Sequence, residues 1–302
     1  VRPTRADSSS STISTRCAAT AAFVASVTGK VYHRRAAPML MPGQDPHESP
    51  AHGDAPRAWP VGPPETGPPP LSRARALGEV VLCSSYPTQI LSALLLAAAG
   101  LRGLTPDGGL NAPFIIAVSL LDASLVVALV VYFLRRRSES VRDVMLGSAP
   151  RWREALVGVW LVVPVTLGVA ALVATVRAVW PSLQNVPENP MTALMADPQL
   201  VVAFAVVVVV AGGVREELQR AFQLHRLTPE VMPPVAALVV TSIAFGLGHT
   251  VQGHDVAIAT AALGALWGAM WLRRRSIVAA TVCHALFNLG QVLAAWSIGR
   301  QI

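Results

Sequence analysis

From about residue 78 to residue 298 the chain is a series of apolar blocks. Each is close to the roughly 20 residues that a helix needs to cross a bilayer. The blocks fall at about 78–101, 112–134, 156–179, 199–224, 233–251, 255–272 and 276–298. Polar connectors separate them, so the sequence predicts an all-α, polytopic membrane helix bundle of about seven transmembrane helices. Composition agrees: 53% of residues are hydrophobic and 14% charged, where a soluble domain carries about 25% charged. The net charge of +7 is almost all arginine, with Lys30 the only lysine. These arginines cluster beside apolar spans, which argues for a lipid bilayer as partner and against nucleic acid.

The arginines also predict orientation. Arg73 and Arg75 precede the first span, Arg135, Arg136 and Arg137 close the second, and Arg142, Arg151 and Arg153 precede the third. Arg226 ends the fourth, and Arg273, Arg274 and Arg275 end the sixth. All fall on one side when the N-terminus is cytoplasmic, as the positive-inside rule requires. The opposite loops carry Asp107, Glu188, Asp197 and Asp255. The expected location is a multi-pass protein of a bacterial inner (cytoplasmic) membrane. Residues 1–75 differ, with a serine run at Ser8–Ser11 and ten prolines between Pro42 and Pro70. That composition cannot bury a core and predicts a disordered extension. Met39 and Met41 open onto its proline-rich part, so the first forty residues read as an over-extended start. The three cysteines match no metal or redox spacing.

Smaller features refine this picture. Pro87 predicts a kink in the first span. Residues 138–155 read as an amphipathic interfacial connector, and the proline-rich stretch 185–198 reads as an outer loop rather than a helix. Gly264 and Gly268 form a small-xxx-small pair that lets a neighbouring helix approach. No internal repeat supports a transporter.

Ionisable groups inside spans are costly and mark function by default. Glu216, Glu217 and Arg220 lie in the fourth span, just after Gly212-Gly213. His249 is in the fifth, four residues after Phe245; His284 and Asn288, also four apart, share a stripe of the seventh. Glu79 and Asp122 stand in the first and second spans, and Arg177 ends the third. Two carboxylates, two imidazoles and an amide on three spans are satisfied at least cost by converging on one wet cavity. Such a cavity suits hydrolysis: a carboxylate beside a histidine takes a proton from water, and a second histidine with an amide N–H holds a negative oxygen. Glu216, His249 and His284 could instead hold zinc as three ligands with an open position. No compact H-E-x-x-H spacing is present, so no cofactor is favoured.

Glu216-Glu217 followed by an arginine, then Phe245-x-x-x-His249, then His284-x-x-x-Asn288, resemble the motifs of the CAAX-protease and bacteriocin-processing (CPBP) family of Abi type. The resemblance covers roughly residues 76–300, and its motifs lie in 212–288. It implies an intramembrane endopeptidase acting on a peptide or membrane-anchored protein. Glu216 would be the general base, with His249 helping to activate water, and His284 and Asn288 would form the oxyanion site. Glu217, Arg220 and Phe245 would support them. The family pattern places arginine five residues after the first glutamate; here Arg220 comes four after it, and Ala221 and Phe222 hold the next positions. Either Arg220 pairs Glu216 directly and weakens it as a base, or Arg215, Arg226 or His225 takes the arginine's place. The competing functions are an inactive immunity or scaffold protein of the same fold, and a proton-coupled transporter.

Depth poses a further question. With these boundaries Glu216 lies about 24 Å from the outer start of its span and His249 about 24 Å from the inner start of the next. In a core about 30 Å thick they would sit near opposite faces. Either the fourth span runs beyond its apolar run, or the fifth is bounded differently.

Overall fold

The computed structural model describes residues 71–299, apart from Asp107 and Glu188. The extension expected over 1–75 lies almost wholly outside the described residues, as does Cys17. The described residues belong to one compact unit that begins at Leu71, and they are helical, with a lone bridge between Leu104 and Leu110. By length and composition, five helices suffice to cross a membrane: 73–98, 112–136, 141–179, 254–274 and 278–297. The protein is a multi-pass membrane protein.

The first span is broken rather than merely kinked. Helix α1 (Arg73–Leu82) ends at Cys83, and α2 (Tyr86–Ala98) restarts with Pro87 in its first turn. Between them Ser85 adopts a left-handed backbone, φ 68°, because proline suits a helix start and cannot continue a helix through its own missing N–H. Helix α3 (Ala112–Arg136) is capped by Asn111, whose side chain accepts from Phe114 N. The connector contains a short helix α4 (Val141–Leu146), leading into α5 (Arg151–Val179). The predicted outer loop is corrected: Pro190–Ala196 is a helix, α6. Proline fits the first helical turn, where its missing donor is no loss, and Asn189 caps it by accepting from Met191 N.

The fourth span runs well past its apolar stretch. Helix α7 (Val201–Val207), a π-helical segment (Val208–Arg215) and α8 (Glu216–Glu230) succeed one another without a break. The fifth is shorter than expected: α9 covers Pro234–Leu247, and a 3-10 turn (Thr250–Gln252) comes after His249. At 14 residues, α9 falls short of the roughly 20 that cross a bilayer. The depth conflict disappears with these bounds. Counting from the turn at 231–233, Glu216 is about 21 Å up α8 and His249 about 22 Å along α9. The two helices pack as a hairpin, so both residues reach one level.

Helices α10 (His254–Arg274) and α11 (Val278–Gly299) complete the bundle. The glycine pair of α10 receives α9 as expected. A Cβ on Gly264 would stand 2.9 Å from Phe245, and one on Gly268 2.6 Å from the end of Leu238. From the other side, a Cβ on Gly246 would meet the Ala257 carbonyl oxygen at 2.6 Å. Ion pairs gather the helix ends. Arg274 Nε and Nη2 grip Glu154 at 2.7 and 2.8 Å, and Trp271 Nε1 donates to Val144 O at 3.2 Å. At the opposite end Arg177 Nε donates to Asp255 at 2.7 Å.

Between α3 and α4, Glu139 is a hub. Arg226 Nη1 donates to it at 2.7 Å, Arg137 Nε at 3.0 Å, and His225 Nε2 lies at 3.3 Å. Arg226 Nε also donates to Glu79 at 2.6 Å, which partners the intramembrane Glu79. Arg226 and His225 are therefore spent here and do not stand in for the motif arginine. Burial pushes the Glu139 carboxyl up, but the hydrogen bonds from His225, Arg226 and Arg137 outweigh it and hold the group at about 2.

Because Gly246 faces rigid backbone and Gly268 a flexible side-chain end, Gly246→Ala should destabilise the fold by about 1–3 kcal/mol. Gly268→Ala should be near neutral in the same unfolding measurement in mixed micelles; equal losses would contradict the packing. A depressed carboxylate pKa stabilises above the unfolded value of 4.5 and loses that contribution as pH falls toward about 2. The stability of Glu139→Gln should therefore fall less steeply than wild type between these limits, as read by unfolding midpoints against pH.

Candidate active site

The site begins with the π-helical segment. Gly212 and Gly213 present no side chains, so α11 closes onto them. A Cβ on Gly212 would stand 2.6 Å from Asn288 Nδ2, and one on Gly213 2.8 Å from the Ala285 Cβ. Such widened turns recur at functional sites, because the extra residue per turn re-aims the side chains beyond it. In this chain the re-aimed residues are Glu216 and Glu217, at the start of α8.

The two glutamates part ways. Glu217 is 2% exposed, pairing with Arg220 Nη1 and accepting from His284 Nδ1 at 2.8 Å. Arg220 therefore does not neutralise Glu216; the i,i+3 partner wins over the i,i+4 one. Its guanidinium carbon lies 4.4 Å above the Phe245 ring and 5.6 Å from that of Trp267, cation–π contacts that hold it in place. Glu216, at 14% exposed, keeps a face to open space. Its Oε2 is 3.8 Å from His284 Nε2, and its Oε1 is 3.8 Å from Arg215 Nη2.

Both imidazoles have a defined tautomer. His249 Nδ1 lies 2.8 Å from the Phe245 carbonyl oxygen, which can only accept, so Nδ1 carries the proton and neutral His249 has a free lone pair on Nε2. His284 Nδ1 faces the Glu217 carboxylate, so it too is protonated, and donation from Nε2 requires the imidazolium form. Trp267 stacks on His284 with centroids 3.7 Å apart and planes at 18°. Sequence reasoning missed Trp267; a tryptophan within a span rather than at its edge, beside Gly264 and Gly268, was the signal.

Two cavities meet at this point. One of about 220 Å³ is lined by polar groups, among them Ser85, Gln89, Arg215, Gln219 and Gln223. A larger one of about 480 Å³ is lined mostly by apolar side chains of α3, α5, the π segment, α10 and α11. Glu216, Phe245, His249 and Gln252 line both. His284 and Asn288 line the larger cavity, so the four residues singled out for chemistry share one wall system. Its volume is within the range of small-molecule and peptide-side-chain pockets. Among the described residues no group of three or more His, Cys, Asp or Glu side chains is gathered to hold a metal ion.

Residues 198–290 match the family described as Type II CAAX prenyl endopeptidase Rce1-like. This stretch is similar to that family. It contains Glu216, Glu217, Arg220, Phe245, His249, His284 and Asn288, and it is consistent with a CPBP intramembrane protease. The match supports a CAAX-type protease, a peptide hydrolase working in a membrane. No curated protein and no solved structure matches the chain. The matched stretch takes in the whole of the π segment, α8 and α9, and most of α11. Substituting Gly212→Ala within it should push the Asn288 amide away while leaving Gly213 in contact with Ala285. The expected result is a loss of about 10-fold or more in cleavage with little change in stability. Unchanged cleavage would detach Asn288 from the chemistry.

Proposed function

We propose that the protein is an intramembrane endopeptidase in which water, activated by Glu216 and His249, attacks a peptide carbonyl. One observation carries the reading. Glu216, His249, His284 and Asn288, from three separate segments of the chain, line a single cavity. Glu216 has a carboxylate oxygen turned toward open space, and neutral His249 offers Nε2 as an acceptor. A water between them would give its proton to this pair as it attacks. The developing oxyanion would be held by the Asn288 amide and by His284 Nε2–H. Glu217 on His284 Nδ1 fixes the ring orientation that this donation needs. Glu217 itself, buried between Arg220 and His284, orients rather than reacts.

The polar cavity would supply water and the apolar one would receive a hydrophobic substrate segment, with Glu216 lining both. The matching family is named for prenylated CAAX substrates; the mostly apolar lining of the larger cavity suits a lipid-modified or apolar peptide here.

In reconstituted nanodiscs, Glu216→Gln, His249→Ala and His284→Ala should each lower cleavage of an internally quenched transmembrane reporter peptide by about 10²-fold or more. Glu216→Gln and His249→Ala should keep the wild-type unfolding midpoint to within a few degrees, whereas His284→Ala, which removes a partner of buried Glu217, should lower it. Full cleavage by Glu216→Gln would overturn the assignment of the base. A wild type that cuts no member of a reporter panel would favour a non-catalytic membrane scaffold.

A further inference from the structure

Arg215, the last residue of the π segment, is 7% exposed and held from three directions. Its Nη1 donates to Ser85 Oγ at 2.9 Å and to Gln219 Oε1 at 3.1 Å. Its Nη2 lies 3.3 Å from Asp122 Oδ2, on α3, and 3.8 Å from Glu216 Oε1. Asp122 is fully buried and also accepts from Thr88 Oγ1. Ser85 donates to Gln219 Oε1 at 2.8 Å, closing the ring of contacts. The left-handed Ser85 at the α1–α2 break is what brings its hydroxyl there.

A buried arginine needs one carboxylate; Asp122 already supplies it. The same Nη2 nevertheless reaches toward Glu216, whose other oxygen faces His284. The motif arginine, Arg220, is committed to Glu217. We infer that Arg215, anchored by Asp122, is a positioning residue that takes Oε1 of Glu216 and leaves Oε2 turned to His284 and the cavity. Asp122 serves a second purpose by sharing the charge of Arg215, so that Glu216 is oriented without being fully paired. The inference rests on the reading of Glu216 as the base.

The test is the kinetics of reporter cleavage in nanodiscs. Arg215→Gln and Asp122→Asn should each lower kcat, by up to about 10²-fold, with KM unchanged, because only the alignment of the base is lost. Arg215→Lys should recover at least about tenfold of the Arg215→Gln loss, since an ammonium can still bridge the two carboxylates. The double variant Asp122→Asn with Arg215→Gln should be no slower than Arg215→Gln alone, because the pair acts as a unit. That variant also removes both buried charges together, so its unfolding midpoint should stay near wild type. An unchanged kcat, a loss seen in KM instead, additive losses, or Lys no better than Gln would overturn the inference while Glu216→Gln remains inactive. If Glu216→Gln cleaves normally, or the wild type cuts nothing, the base reading fails first and this inference with it.

Discussion

A carboxylate buried among packed helices cannot remain unpaired, and Glu217 shows how this chain meets that constraint. Its charge is shared between Arg220 and His284, on its own helix and on α11. Breaking such a pair by removing one partner strands the other charge, which costs about 3–5 kcal/mol. Much of the site depends on that pairing. Arg220 is drawn to Glu217 and fixed over Phe245 and Trp267; His284 is locked in one tautomer and stacked on Trp267. Glu216 is thereby left as the acidic group with room to act.

Geometry at the backbone level does the rest. The π-helical turns and the bare faces of Gly212 and Gly213 let α11 come close enough for Asn288 to stand against the fourth span. The short α8–α9 connection sets His249 opposite Glu216, as both lie the same distance from one turn. The polar and apolar cavities then share Glu216 and His249 as common wall. A hydrolase working in lipid needs this arrangement, because water and a hydrophobic substrate must reach the same atoms from different media.

The remaining buried acidic groups are settled in the same way. Glu79 meets Arg226, Asp122 meets Arg215, and Asp255 meets Arg177. Each pair joins helices far apart in sequence, so the charges that look like liabilities in an apolar span also fix how the helices sit. Asp122–Arg215 differs from the other two by standing against Glu216.

The membrane class, the helical architecture and the identity of the candidate residues were legible in the sequence by itself. Apolar length and arginine placement report on the bilayer, and spacing of four puts Phe245 with His249 and His284 with Asn288 on shared faces. Spacing within one helix could not decide which glutamate Arg220 would pair, since i,i+3 and i,i+4 are both neighbours. Nor could it place Glu216 and His249 at one depth, because apolar runs mark where lipid lies, not where helices begin. The helix at Pro190, the partner of Asp122 and the stacking of Trp267 were hidden for the same reason. Contacts between helices depend on their rotation and depth, and only the packed bundle, closed on its glycines and ion pairs, decides those.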